Sequence, residues 1–578
     1  MGRPAVGPST VTAASPAFDA WLDDFFESYY RHRPVNATFI GIHEYDSRLP
    51  DHSDRGRADL RNDLASLRSR LRSLPAEPLD APQKLDRELA AGFLDIEEWE
   101  QRSRHFEAGN PGCAIGESAF GVISLFLRPF APLEERLDSA ATRLEGMPAL
   151  LGAAEETIRA APLAWTERAI RECDGTLALL TDGIDRLLHD EGVTGGGERR
   201  LRRAVDGGAR AVSDYRQYLQ ADLRRRPTED YAAGPEALDL LLRRGHFLDD
   251  GVEEMERIAA ERLDAILAEL TAGAAKLGFA DWSAALAALA DDHPTADRYP
   301  SRFGEVWQEA RALAVTDGLL TWPDYPLRYI PRPNWAQDAA MDLYFLFYRA
   351  PAAFDPVAVV DYLIEPLDSA ATRQQMETLR RTNESVIALN HVIHHGGIGH
   401  HVQNWHAYRA ASRIGQVAAV DCAARIAMFS GGTMAEGWAC YATDLMGEIG
   451  FLTPAQELSL LHGRARMAAR ALVDLRMHGG RLSIAGAAAF YEATVRMPAA
   501  AAWAEAVRNS MFPGTALIYL FGSDQIHALR AEIARLERER FSLRRFHDRF
   551  LSFGSVPVAL IAETLRREVT GDDDAPPA

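Results

Sequence analysis

Apolar residues recur at three- and four-residue spacing along most of this chain, which is the pattern of amphipathic α-helices. The clearest runs predict helices over 18–34, 251–278, 372–395 and 455–480. Strand-like runs are scarce: the best candidate is "YPLRYIPRP" (325–333), where three prolines allow at most an edge strand. The pattern therefore predicts a mainly α fold with minor β at most, as a large multi-helix single unit.

Two polar breaks interrupt the helical pattern, "TGGGERR" (194–200) and "PRPNW" (331–335). The composition does not change across either break, and the sequence contains no internal repeat. We therefore expect one α-helical domain over residues 17–568, built as one body or as two lobes around a deep interhelical cleft. The composition predicts disordered ends over 1–16 and 569–578.

Charge and apolar content limit the partners. Of the 578 residues, 63 are basic and 83 acidic, a net charge of −20, whereas nucleic acid needs a concentrated basic surface. The N-terminus lacks the apolar core of a signal peptide, and no run approaches the ~18 apolar residues of a membrane span. The four cysteines form no regular framework. These features predict a soluble, cytoplasmic protein with no nucleic-acid or membrane partner, either a monomer or a homo-oligomer.

Histidines are concentrated in "HHGGIGHHVQNWH" (394–406), which holds five of the seventeen in the chain, and His391 is a sixth. Imidazole is a common ligand for zinc and other transition metals. His391 and His395 have the i, i+4 spacing that places two ligands on one helix face. His394 is adjacent to His395, about 100° away around a regular α-helix, so this pair is not expected to bind one ion in regular geometry.

The same reasoning separates His400 from His401. Between the two pairs lies "GGIG" (396–399), whose three glycines each weaken a helix by roughly 1 kcal/mol relative to alanine. A bulge or break there would bring the two pairs together, whereas a regular helix would hold His394 and His401 about 10 Å apart. The pattern therefore indicates a metal site; hydrogen-bonded core and surface histidines are the alternative.

A metal site usually needs a further ligand from another helix. "GGTMAEGWACYATDL" (431–445) offers Glu436, which lies among apolar residues. A buried carboxylate is costly unless it is paired or metal-bound, so a salt bridge and a metal ion both fit this position.

The histidine run and "EGWACYATDL" about forty residues later resemble the bacterial family catalogued as domain of unknown function 885. The hallmark of that family is H-E-x-x-P-G-H-H-x-Q followed by E-G-W-A-x-Y. Further segments resemble the family in the same order: "ATFIGIHEYDSRLPDHS" (37–53), "RALVDLRMH" (470–478), "PGTALIYLFG" (513–522) and "FGSVPVALI" (553–561). The family looks like a divergent relative of the helical zinc peptidases. The resemblance therefore implies a metal-dependent hydrolase that acts on short peptides or other amides.

Position by position, the resemblance implies that His394 and His400 are metal ligands and that Glu436 is the third. His401 is an alternative to His400, because the glycine break leaves the local geometry open. Zinc is the metal that the resemblance implies, while a histidine-rich site with one carboxylate also suits iron, manganese or nickel. Gln403 matches the glutamine of the family; with His391 it is a candidate supporting residue around the ligands.

Arg470, Asp474 and His478 are spaced four apart, so they share a helix face and can form a charged column. The resemblance implies that Arg470 or His478 contacts a carboxylate or oxyanion of the substrate, with Asp474 in support. Tyr519 is a candidate donor to a tetrahedral intermediate. An ordinary polar network and a packed tyrosine are the alternatives.

His395 departs from the family pattern, because it occupies the position of the catalytic glutamate. A neutral imidazole accepts a proton but brings no negative charge, and it also binds metals. Three outcomes follow: a histidine general base, a remodelled site with different chemistry, or a site without catalysis. The leading hypothesis is a metal-dependent hydrolase; a metal-binding pseudoenzyme and a non-hydrolytic metalloenzyme are the alternatives.

Overall fold

The computed structural model describes residues 15–74, 79–337, 352–355, 357–367, 372–418 and 427–571. In these ranges the chain is mainly α-helical and forms a single unit, as the apolar pattern predicts. None of the helices in the described ranges is both long and apolar enough to span a membrane.

The first part of the chain folds into thirteen α-helices within the described ranges. They are α1 Pro16–His32, α2 Pro34–Ile40, α3 Asp54–Ser73, α4 Ala81–Glu100, α5 Gly112–Phe126, α6 Leu133–Thr157, α7 Leu163–Ala178, α8 Ile184–Asp190, α9 Gly196–Ala221, α10 Pro235–Leu240, α11 Val252–Lys276, α12 Trp282–Leu289 and α13 Tyr299–Thr316.

The second part begins beyond the sheet. Its α-helices are α14 Arg373–Arg381, α15 Glu384–Val386, α16 His400–Ala407, α17 Arg413–Val417, α18 Gly432–Glu448, α19 Pro454–His478, α20 Ile484–Val495, α21 Ala499–Met511, α22 Ile518–Glu537, α23 Leu543–Leu551 and α24 Val558–Thr570. Wider π-helical turns occur at Leu179–Gly183, Leu241–His246, Ile387–Gly396 and Ala427–Gly431. Short 3₁₀ turns occur at His43–Tyr45, Leu223–Arg225, Asn334–Ala336 and Arg538–Arg540.

The described residues contain one two-stranded parallel sheet. Strand β1 (Leu327–Pro331) pairs with β2 (Val360–Ile364), and Tyr329 lies opposite Tyr362. The predicted edge strand is therefore confirmed. Its last residue is Pro331, which is compatible with an edge because proline has no N–H to donate.

The predicted helix over 372–395 is wrong in one respect, because it is two helices. α14 ends at Arg381, and Asn383 starts the next helix by accepting a hydrogen bond from the Val386 N–H with its side chain. An asparagine side chain in this position competes with a continuous helix and favours a new N-terminus. The other three predicted helices correspond to α1, α11 and α19.

The predicted disordered ends extend too far into the domain. Ser15 caps α1 by accepting from the Phe18 N–H, and Pro16 is the first residue of that helix. At the other end, Val569 and Thr570 belong to α24. Residues 1–14 and 572–578 lie outside the described ranges.

The main hydrophobic core joins residues from both ends of the chain, from Phe18 in α1 to Leu565 in α24. A second buried cluster contains residues of α11, α19, α20 and α21. The division into two lobes and the cleft stay predictions. The histidine run and Glu436 lie on segments that contribute Ile393, Val402 and Trp438 to the main core, so the candidate site is supported by packed helices.

Candidate metal centre

The helix that carries the first histidine pair ends inside the glycine run. A π-helix covers Ile387–Gly396, the chain turns through residues 397–399, and α16 restarts at His400. The imidazole centroids of His394 and His400 are 4.9 Å apart. The predicted break is confirmed, and it brings one histidine of each pair together.

Glycine is required in this turn because the backbone folds back on itself. A Cβ on Gly399 would overlap the main-chain oxygen of His394 and would lie 2.6 Å from that of Ile393. Two indoles hold the turn: Trp307 Nε1 donates to the Gly396 oxygen at 2.6 Å, and Trp438 Nε1 donates to the Ile398 oxygen at 2.9 Å. The turn is therefore fixed by α13 on one side and by α18 on the other.

Glu436 on α18 faces both histidines. The Nε2 atoms of His394 and His400 each lie 3.4 Å from the same oxygen, Oε2 of Glu436. A tetrahedral zinc site with bonds of about 2.0–2.1 Å has ligand atoms about 3.4 Å apart, so these three donors fit the edges of such a site. The donor set, two imidazoles and one carboxylate, also matches the chemistry that zinc prefers.

Close packing of two helices places Glu436. A Cβ on its neighbour Gly437 would lie 2.5 Å from the carbonyl carbon of Gly522, so α18 and α22 touch through their backbones. Larger residues would separate the helices and move the carboxylate away from the histidines.

His395 joins the same cluster. Its ligand nitrogen and those of His394 and His400 all lie within 4.8 Å of one another. The structure thus differs from the expectation for two adjacent histidines, whose ring centroids are only 4.6 Å apart. The π-helix explains the difference, because its i→i+5 winding turns successive residues through a smaller angle than an α-helix does.

The tautomer of His395 follows from its neighbour. Nδ1 lies 2.7 Å from the main-chain oxygen of Asn390, which can only accept, so Nδ1 carries the hydrogen. Nε2 is then the nitrogen with the lone pair. It can bind a metal or accept a proton, but not both at once.

Burial controls the charges of the cluster. It lowers the pKa of His394 and lowers that of His395 well below the ordinary value, so both imidazoles are neutral. Burial alone would raise the pKa of Glu436, but His400 and His394 together lower it well below its usual range. Glu436 is therefore a carboxylate anion among imidazoles. The side chains of His394 and His395 are partly exposed, whereas those of His400 and Glu436 are buried.

His401 points away from this cluster. Its Nε2 donates to the Tyr325 main-chain oxygen at 2.7 Å, and its ring stacks on that of Tyr325 at 4.9 Å. Of the two histidines considered as ligands, His400 is therefore the one that faces Glu436. His401 instead connects α16 to the segment that precedes β1.

His391 lies beside the sheet. Its Nδ1 is 2.7 Å from the Tyr362 hydroxyl, and its main-chain oxygen accepts from the Tyr329 hydroxyl at 3.1 Å. The Tyr362 ring also packs edge-on to His395 at 6.2 Å. His391 and its two tyrosines thus support the helix that carries His394 and His395.

Gln403 connects the candidate site to the end of the chain. Its Nε2 donates to the Ser555 hydroxyl at 2.5 Å, and the Ser555 N–H donates to the Gly415 oxygen at 3.0 Å. Ser555 belongs to "FGSVPVALI", so two segments that are far apart in sequence meet here.

Arg470 lies within electrostatic reach of the cluster. The pKa of His394 is lowered by burial first, and the neighbouring charges that lower it further include His400 and Arg470. Arg470 Nε is 2.8 Å from Glu505 Oε1, and the guanidinium lies 4.3 Å from the centre of the Tyr519 ring. Arg470 and Tyr519, which are separate candidates in the sequence, therefore lie together in the structure.

The lower part of the predicted column has a different role. Asp474 accepts hydrogen bonds from the N–H groups of Gly514, at 2.9 Å, and Ala516, at 2.8 Å, and so holds the turn before α22. Burial raises the pKa of Asp474 to about 7, although the hydrogen bonds from these backbone N–H groups act to lower it.

Of Arg470 and His478, the two residues predicted as alternatives for a substrate contact, His478 has both ring nitrogens on backbone groups. Its Nε2 donates to the Asn509 oxygen at 2.8 Å, and its Nδ1 accepts from the Ala233 N–H at 3.3 Å. It is fully buried, and burial lowers its pKa to about 3. Because backbone groups occupy both nitrogens, the imidazole joins α19 to its neighbours.

Several residues that shape the site were not found from the sequence. Tyr325, Tyr329 and Tyr362 contact the histidines from the sheet region, and Trp307 holds the glycine turn. Local patterns carry no signal for Trp307, since its partner is 89 residues away. Trp438 could have been predicted to support the site, because it belongs to "EGWA" and lies two residues after the candidate ligand Glu436.

Comparisons with known proteins place the chain in a family. A model of bacterial proteins of unknown function (DUF885) matches residues 34–565, so the chain belongs to this family. No curated protein shows a significant match.

Two solved structures share the fold. A putative lipoprotein of unknown function from Shewanella oneidensis is 21% identical with a TM-score of 0.75; the match covers 96% of this chain and 100% of that one. A putative lipoprotein from Colwellia psychrerythraea is 16% identical with a TM-score of 0.76; the match covers 96% and 99%. The predicted cytoplasmic location is contradicted by these neighbours, both of which are described as lipoproteins, and we withdraw it.

Proposed function

We propose that this protein is a metal-dependent hydrolase whose metal, zinc by its donor set, is held by His394, His400 and Glu436. The observation that carries the proposal is the convergence of two imidazole Nε2 atoms on one carboxylate oxygen, each at 3.4 Å. A zinc ion held by three protein ligands activates a water molecule and polarises a carbonyl group. Short peptides or other amides are the proposed substrates, on the strength of the family resemblance.

His395 is the proposed general base. Its Nδ1–H is committed to Asn390, so Nε2 carries the lone pair and can take a proton from a water molecule. The ring lies 4.6 Å from that of His394 and 5.5 Å from that of His400. Burial keeps this imidazole neutral, as a base must be before it accepts a proton. Arg470 and Tyr519, which lie together beside the cluster, are proposed to orient the substrate.

A second candidate function rests on the same imidazole. If Nε2 of His395 binds the metal, the site has three histidines and one glutamate, a donor set that also suits iron, manganese or nickel. One nitrogen from each of the three histidines lies within 4.8 Å of the other two, which supports this alternative, a non-hydrolytic metalloenzyme.

Elemental analysis tests the proposal. We would compare wild type with His394→Ala, Glu436→Ala and, as a control, His189→Ala, which removes an exposed histidine of α8. Near-stoichiometric zinc in wild type and the control, lost in the other two variants, is the expected result and would justify a peptide screen. Iron or manganese would favour the alternative, and a protein that binds no metal after reconstitution would refute both.

A further inference from the structure

A group of arginines lies next to the candidate metal centre. Arg466 and Arg470 are one turn apart on α19, and Arg508 is on α21. All three act on a single carboxylate, Glu505, and lower its pKa although burial alone would raise it. Glu505 Oε1 is 2.8 Å from Arg470 Nε and 3.9 Å from Arg508 Nη1. These four side chains therefore carry three positive charges and one negative charge.

Arg466 is the cation that this arrangement leaves without a close partner. Within the part of the chain that the structure describes, its side chain forms no hydrogen bond and no ion pair; the residue is partly exposed, while its Nε is buried. A buried N–H donor without a partner lowers the stability of the folded protein. Such a cost indicates a site that is completed by a ligand.

The arginine group and the metal centre belong to one region. The positive charge of Arg470 contributes to lowering the pKa of His394. It also acts to lower the pKa of Cys440, which lies one turn after Glu436 on α18, against the burial that raises it. The Tyr519 ring lies over the Arg470 guanidinium and so adds an apolar wall. Arg466 is one turn before Arg470 on the same face of α19, so one anion can contact both guanidinium groups.

We propose that Arg466 and Arg470 form a carboxylate-binding subsite, which would bind the C-terminal carboxylate of a short peptide substrate. The unpaired Arg466 and the excess of positive charge beside the histidine cluster carry this inference. The assignment of the anion to a peptide rests on the proposed function. A guanidinium suits this role because it is always charged and presents parallel N–H donors to a carboxylate.

Binding measurements test the subsite without any turnover. Calorimetry would compare N-acetylglycylglycine with its C-terminal amide, with and without EDTA. The proteins would be wild type, Arg466→Gln and the control Arg476→Gln. Arg476 is on the same helix as Arg466, and its guanidinium is paired with Glu256 of α11. We expect at least tenfold tighter binding of the acid in wild type and the control. Arg466→Gln should abolish this preference.

The outcomes separate this inference from the proposed function. A preference for the acid that persists with EDTA, in a protein that holds no zinc, would support the subsite while the hydrolase proposal fails. Equal binding of acid and amide, no binding of either, or a preference that Arg466→Gln leaves intact would overturn the subsite. Tighter binding of inorganic phosphate than of the acid would overturn its assignment to carboxylates. If Arg466→Gln does not fold, Arg466→Lys keeps a charge without the bidentate geometry, and we expect it to reduce the preference several-fold.

Discussion

A Cβ atom on Gly399 would overlap the main-chain oxygen of His394. The two residues are therefore in backbone contact across the turn that separates the π-helix from α16. Since His394 and His400 flank this turn, its tightness determines how closely their imidazoles approach.

Gly399→Ala tests the importance of this contact. We expect the variant to lose about 2 kcal/mol or more of its free energy of unfolding, because the backbone must move to relieve the overlap. Urea titration with EDTA present measures this loss independently of any metal. Metal affinity should also fall at least about tenfold, since the ligands lose their orientation. The control is Gly463→Ala in α19, where a Cβ meets nothing within 4 Å and should instead stabilise the helix by about 1 kcal/mol. Equal stability of wild type and Gly399→Ala would contradict the argument.

His395→Ala distinguishes a base from a ligand. If His395 is the general base, the variant keeps its metal, while kcat falls by about 10²–10⁴-fold on whichever peptide the screen identifies. His395→Glu, which restores the residue of the family motif, should recover a large part of that loss. The measurements are metal content by elemental analysis and steady-state kinetics, with His189→Ala as the control. Loss of metal from His395→Ala would assign His395 to the ligand set.

Gln403 and Ser555 should be energetically coupled. They share a hydrogen bond of 2.5 Å between buried side chains, across 152 residues of sequence. We expect Gln403→Ala and Ser555→Ala each to cost about 1–2 kcal/mol of unfolding free energy. The double variant should cost less than the sum, by about 1 kcal/mol. Strict additivity in a double-mutant cycle would show that the two side chains act independently.

The break in the histidine helix could be predicted because three glycines in four residues act locally. Glu436 could be found for a similar reason, since a carboxylate among apolar residues is costly wherever the helix packs. The choice between His400 and His401 could not be predicted. It depends on the direction in which α16 leaves the turn, and that is set by Trp307, Trp438 and Tyr325 from distant segments.

The π-helical winding of Ile387–Gly396 was equally hidden. Its local sequence reads as an ordinary amphipathic helix, and the proximity of His394 to His395 depends on the wider turn. The backbone partners of His478 could not be predicted for another reason. Spacing on α19 shows that it shares a face with Arg470, but the backbone groups that occupy its two nitrogens belong to residues 233 and 509.

His246 should make the stability of the protein depend on pH. It is buried at the end of the π-helix Leu241–His246, and its Nε2 donates to the Gly514 oxygen at 2.6 Å. Burial lowers its pKa to about 4, whereas in the unfolded chain the value is about 6.5. As the pH falls from 6.5 to 4, the unfolded chain takes up a proton that the folded protein does not. The stability present above pH 6.5 is therefore lost, by up to about 3 kcal/mol from this residue.

His246→Gln isolates this contribution, because glutamine keeps a side-chain N–H for Gly514 but does not titrate. We expect the unfolding free energy of the variant to fall less steeply than that of wild type between pH 6.5 and 4. Urea titrations across this range, with EDTA throughout to remove metal release from the comparison, measure the two slopes. His189→Gln, at an exposed position, should keep the slope of wild type. His246 is buried beside the turn that Asp474 also holds. An unchanged slope in His246→Gln would mean that this imidazole nevertheless takes up a proton in the folded protein between pH 6.5 and 4.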